Sequence, residues 1–130
     1  MSAETTALGL AALLQAAQIG IAGVSMNRDV GFGWNAGPRD TQPTLSPMTG
    51  RLRRAVNNHF EGLLLFTIAV VMVSLEDRSN VLTVGCAWLY LLARVLYVPA
   101  YAFGWTPGRS IIWGVGFLAT MAMIIFALVT

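Results

Sequence analysis

Lysine is absent from this sequence, cysteine and histidine occur once each, and charged residues make up only 11% of its 130 residues. Each scarcity removes a class of function. Cys86 has no second cysteine with which to form an intrachain disulfide, and none with which to build a zinc or iron–sulfur site. His59 has no histidine or cysteine near it, so the ligand spacing of a zinc site is missing and no metal is expected. No Gly-x-Ser-x-Gly motif is present to seat a hydrolase serine. Without lysine, the positive charge rests on eight arginines, five of them between residues 28 and 54, and the net charge is only +2. Such a distribution orients a chain in a membrane, and no nucleic-acid partner is expected.

What the sequence has in abundance is apolar surface, 56% of its residues. A bilayer crossing needs about 20 apolar residues in a helix. Ala7 to Met26 meets that length, broken only by Gln15, Gln18 and Ser25, and gives a first span over 7–27. The region before them carries Glu4 and no basic residue, unlike a secretory signal. Gly62 to Leu75 is only 14 residues long and must borrow from the polar stretch before it, giving a span over 54–75. Spans over 81–103 and 109–129 complete the set, so the expectation is an all-α, four-helix integral membrane bundle forming a single domain over 1–130. The stretch 28–53 holds Gly31, Gly33, Gly37, Pro38, Pro43, Pro47 and Gly50 and reads as a long loop, with Phe32 and Trp34 settling it on the membrane interface.

Arg28, Arg39, Arg51, Arg53, Arg54 and Arg109 fall in or directly beside the loop 28–53 or the turn 104–108, against Arg78 alone in the other connection. The positive-inside rule then predicts that the loop and the turn are cytoplasmic and that both termini face the opposite side.

Polar residues inside the spans are costly, and each needs a reason. Arg54, Asn58 and Glu61 stand four and seven apart, which on a helix puts them on one face. Arg94, Tyr97 and Tyr101 form a second such stripe, and Arg94 calls for an anionic partner, either Glu61 or a ligand. Gln15 and Gln18 share a face and predict an interhelical hydrogen bond. His59 is expected to be interfacial, Tyr90 to be an interface aromatic, and Gly114 and Gly116 to permit close helix approach. Arginine forks, one carboxylate, tyrosine hydroxyls and a serine suit an anionic small molecule that also carries an ammonium group. A catalyst, a noncatalytic ligand-binding protein and a small transporter all stay open, the last disfavoured because the polar sets share one leaflet.

The patterns Arg54-Ala55-x-x-Asn58-x-x-Glu61, Arg94-x-x-Tyr97-x-Pro99-x-Tyr101 and Arg109-Ser110-x-x-Trp113 resemble the membrane-associated proteins in eicosanoid and glutathione metabolism (MAPEG), in particular small bacterial members, over nearly the whole chain. The resemblance implies a homotrimer in a bacterial inner membrane, with glutathione as cosubstrate bound between subunits near the cytoplasmic face and a hydrophobic small molecule as second substrate. It implies conjugation, isomerisation or peroxide reduction as the activity. Carried over by position, Asn58, Glu61, Arg94 and Tyr101 resemble glutathione contacts, Arg109 and Ser110 the pair beside its thiol, and Arg28 a basic residue that holds a carboxylate. Arg54, Tyr97 and Trp113 complete the candidate site. Asn57 stands where some glutathione-using relatives have arginine. Tyr97 and Trp113 stand where the prostaglandin synthase branch has histidine and tyrosine.

Overall fold

A computed structural model describes residues 1–41 and 43–129. Its elements are α1 (Ala3–Val30), α2 (Phe32–Ala36), α3 (Pro47–Leu75), α4 (Val81–Ala102) and α5 (Gly108–Val129). All four long helices are long and apolar enough to cross a membrane. Only 28–33% of the most apolar window of each is buried within the chain. Leu13, Leu64, Leu92 and Leu118 are among the large side chains turned outward. That surface is expensive in water and at home in lipid, so the chain is a multi-pass integral membrane protein.

Local chemistry fixes the helix ends. Ser2 accepts from the Thr5 backbone N–H, Ser46 accepts from that of Thr49 ahead of Pro47, and Asn80 forms a reciprocal capping box with Thr83. The Ser46 cap corrects the sequence reading at one place, because residues 47–53, expected as loop, are already helical. At 29 residues α3 is about 43 Å long against roughly 30 Å of hydrocarbon, so its arginine-bearing first turns lie outside the apolar layer. The short α2 likewise forms inside a stretch dense in helix breakers, separated from α1 by Gly31 at φ 83°.

Helix α3 packs against α1, α4 and α5, and α4 packs against α1, α3 and α5, whereas α1 and α5 do not meet. The long helices therefore form a rhombus with α3 and α4 on its short diagonal. Its core runs through Ala7, Ala11, Phe66, Ala69, Val73, Ala87 and Met123. Tyr90, expected at the interface, is instead 2% exposed and stacks on Phe66 with ring centroids 4.0 Å apart. Small residues let the backbones approach. At Gly116 an added Cβ would stand 3.4 Å from the Ala93 Cβ, whereas at Gly114 it would meet nothing within 4 Å, so only Gly116 serves the α4–α5 contact. Gly116→Leu is expected to destabilise the folded protein by about 1–3 kcal/mol through overpacking, measured by denaturant unfolding in detergent, while Gly114→Leu leaves stability near the parent value.

Candidate functional site

The first half of α3, the end of α4 and the start of α5 bring arginines and aromatic rings to one end of the bundle. Here Arg54, Asn57, Asn58, Glu61, Tyr97, Tyr101 and Arg109 line a cavity of about 230 Å³. Tyr101 is its hub. The Arg54 Nε donates to the Tyr101 hydroxyl at 3.0 Å, and the Arg54 and Arg109 guanidinium carbons lie 5.8 and 4.9 Å from the Tyr101 ring centre. The Tyr97 ring meets Tyr101 edge-on at 5.6 Å. Guanidinium groups on an aromatic ring are held in place while most of their N–H donors stay free for a ligand.

A second cavity of about 120 Å³ continues from Asn58 and Glu61 deeper between α3, α4 and α5, past Tyr90, Arg94, Trp113 and Phe117 to Thr120. Its entrance is polar and its far wall aromatic, with Trp113 and Phe117 stacked at 5.1 Å. Gly62 keeps the passage open, since a Cβ there would stand 3.4 Å from the Tyr90 hydroxyl and 3.9 Å from Arg94 Nη1.

Arg94 is 3% exposed and packs its guanidinium 4.3 Å from the Tyr97 ring centre. Its Nη1 donates to Asn58 Oδ1 at 2.9 Å, and Asn58, rather than Glu61, is its partner. The Nε and Nη2 of Arg94 and the Tyr90 hydroxyl are buried without a hydrogen-bond partner among the described residues. A guanidinium held in the membrane by a neutral amide keeps an unbalanced charge, which favours an anionic ligand nearby. Glu61 lines both cavities and makes no ion pair among the described residues, so its carboxylate is free to accept.

His59 departs from its interfacial expectation. It is fully buried against α1, where Gln15 Nε2 donates to the Val56 carbonyl and thereby turns Gln15 Oε1 toward His59 Nδ1 at 2.7 Å. The Gln18 amide stands 2.9 Å from the same ring nitrogen. The interhelical hydrogen bond predicted from Gln15 and Gln18 is therefore present, with a partner that helical spacing alone could not name. No group of three or more potential metal-ligating side chains occurs among the described residues.

Of the candidate site residues, Arg54, Asn58, Glu61, Arg94, Tyr97, Tyr101, Arg109 and Trp113 line one or both of these joined cavities. Ser110 is exposed beside Arg109 in the first turn of α5 and lines neither. Arg28 is exposed at the end of α1, a helix that does not touch α5, and also lies outside both. Asn57 and Tyr90 line the cavities without having been expected to, and their signal was their place on the α3 and α4 stripes. A family model, described as MAPEG family, matches residues 3–129. No curated protein and no solved structure matches the chain.

Proposed function

The chain belongs to the MAPEG family, and from that premise we propose that it is a membrane-bound glutathione-dependent transferase, able to use the same thiolate against hydroperoxides. The observation that carries this reading is the meeting of Arg54 and Arg109 at Tyr101, with Asn58 and Glu61 beside them, in one cavity at the arginine-rich end. Glutathione presents two carboxylates, an ammonium and a thiol. Arg54 offers a fork for a carboxylate, Glu61 an acceptor for the ammonium, and Asn58 and Arg94 a polar floor.

A thiol with an ordinary pKa of about 8.5 is mostly protonated at neutral pH, and a neighbouring cation stabilises its thiolate. Arg109 is the second residue of α5, so its own charge adds to the positive end of that helix. Ser110, one residue on, would donate to the sulfur after a rotation of its side chain. The thiolate attacks a carbon of an apolar electrophile that enters from the lipid past Trp113 and Phe117, forming a sulfur–carbon bond as that carbon's bond to a leaving group breaks. The group departs with the electron pair; with an activated alkene the π pair moves instead to the neighbouring carbon and is protonated there. With a hydroperoxide the sulfur takes the distal oxygen and the alkoxide leaves to be protonated.

Even taken together, the joined cavities of about 120 and 230 Å³ lie at the bottom of the roughly 300–1,000 Å³ range of ligand pockets, which supports completion of the site by another copy in a homotrimer. Arg28, out of reach in its own chain, would join the site of an adjacent copy. The arginine-rich end faces the cytoplasm in this reading. Titrating the purified protein with glutathione while following thiolate ultraviolet absorbance is expected to give a saturable signal, followed by turnover of an apolar electrophile. Absence of the signal overturns the reading, and saturable binding without turnover of any electrophile or hydroperoxide reduces the protein to a noncatalytic glutathione binder.

A further inference from the structure

His59 is the one histidine of the chain and lines neither cavity of the ligand site, yet it is fully buried where α1, α3 and α4 pack on one another. Its two ring nitrogens are in different situations. Nδ1 has two amide neighbours on α1, Gln15 Oε1 at 2.7 Å and Gln18 Nε2 at 2.9 Å, and one nitrogen cannot both donate to the first and accept from the second. The Val56 carbonyl breaks the tie. Gln15 Nε2 donates to it at 3.2 Å, so Gln15 Oε1 is held toward the ring and requires a proton on Nδ1. A bare Nδ1 would turn Gln15 over, lose the bond to Val56 and set two oxygens against each other. Gln18 instead exchanges the positions of its amide oxygen and nitrogen and offers Nδ1–H a second acceptor, because its own Oε1 has no partner to lose. Protons on both ring nitrogens would bury a second cation beside Arg94, whose charge already reaches the ring. His59 is therefore neutral, with its proton on Nδ1 and a bare lone pair on Nε2.

That lone pair is buried and accepts no hydrogen bond among the described residues, while the Nε and Nη2 of Arg94 are buried and donate none. Asn58, the residue before His59, holds the remaining guanidinium nitrogen, Nη1, which puts His59 and Arg94 at the same depth in the bundle. No carboxylate competes there. Glu4 is bonded to Thr83 near the opposite end of α4, and Glu61 is exposed.

We propose that His59 is a positioning residue for the anion site: fixed as the Nδ1–H tautomer by Gln15, it turns a lone pair on Arg94 and steadies that guanidinium without cancelling its charge. The identity of the anion rests on the glutathione reading; the coupling of His59 to Arg94 does not. A carboxylate at this position would also hold Arg94 but leave less net charge for a ligand to meet, and an apolar residue would leave the guanidinium edge unopposed. The neutral imidazole avoids both. Through it α1, which lines neither ligand cavity, bears on the site.

The single histidine makes the test direct. The full chain carrying isotope-labelled histidine is reconstituted in lipid bilayers, and magic-angle-spinning NMR reads which ring nitrogen holds the proton, Nδ1 through its bond to Cγ and Nε2 through its bond to Cδ2. At neutral pH the parent is expected to show a protonated Nδ1 and a bare Nε2, and Arg94→Gln to shift the Nε2 line while Nδ1 stays in place. A proton on Nε2 in the parent overturns the proposal, as does an Nε2 line that ignores Arg94→Gln. The functional arm compares two substitutions. In His59→Asn the amide nitrogen overlays Nδ1 and keeps the bond to Gln15, but nothing reaches the Nε2 position; in His59→Gln an amide oxygen does. His59→Asn is expected to raise KM for glutathione about three- to tenfold with kcat within about twofold of the parent, because Arg94 meets the ligand away from its sulfur. His59→Gln is expected to bring KM back to within about twofold. Equal losses in both variants, or none in either, overturn the positioning role in favour of packing alone. A parent that binds no glutathione would instead overturn the glutathione reading, and the ring spectrum would still decide the coupling.

Discussion

Replacing Arg109 with alanine is expected to lower glutathione-dependent turnover, read as kcat/KM for glutathione, by about 10- to 100-fold, because a charge-assisted contact of roughly 1.5–3 kcal/mol to the sulfur is lost. The same change should raise the pKa of the bound thiol toward its ordinary value of about 8.5, so the thiolate absorbance seen at neutral pH falls and returns at higher pH. Stability should change little, since Arg109 is only half-buried and its guanidinium rests on the Tyr101 ring rather than in the core. Arg109→Lys keeps the charge and is expected to recover part of the thiolate signal. It should not recover all of it, because an ammonium on a flexible stem lacks the flat face that sits 4.9 Å from the Tyr101 ring centre. An undiminished thiolate signal in Arg109→Ala would remove Arg109 from the mechanism.

A second large effect is expected at Asn58. Its Oδ1 is the only hydrogen-bond acceptor Arg94 has among the described residues, at 2.9 Å. Asn58→Leu should therefore leave a buried guanidinium without any partner and cost about 1.5–3 kcal/mol, seen as a lower midpoint of denaturant unfolding in detergent. Asn58→Asp separates structure from binding. A carboxylate at that position would balance the Arg94 charge and hold the fold at or above parent stability, while repelling an incoming anion and weakening glutathione binding. If the aspartate variant binds glutathione as tightly as the parent, Arg94 is a structural residue and the unbalanced charge is not part of the ligand site. Together the two substitutions decide whether the neutral partner of Arg94 was kept for the sake of a ligand.

Much of this was legible before any fold was known. The apolar runs announced four crossings, and all four long helices are present. The spacing of Arg54, Asn58 and Glu61 and of Arg94, Tyr97 and Tyr101 announced two polar stripes, and both stripes line the same pair of cavities. Periodicity can do this because a helix repeats every 3.6 residues whatever surrounds it. It cannot say which neighbour a stripe meets. His59 lies one residue from Asn58 yet turns to α1 and the glutamines, whereas Asn58 turns to Arg94 on α4. Arg28 and Ser110 were matched by position alone, and position carries no information about facing.

By itself the sequence determined the solvent, the number of crossings, the arginine-rich end and the residue types available for chemistry, since these follow from composition, run length and helical repeat. Only the tertiary structure decided that Asn58 and not Glu61 partners Arg94, that Tyr101 is where Arg54 and Arg109 converge, and that residues 47–53 extend α3. The rotation and lateral neighbours of each helix are set by where small residues such as Ala93 and Gly116 let backbones close together, and that depends on all the helices at once.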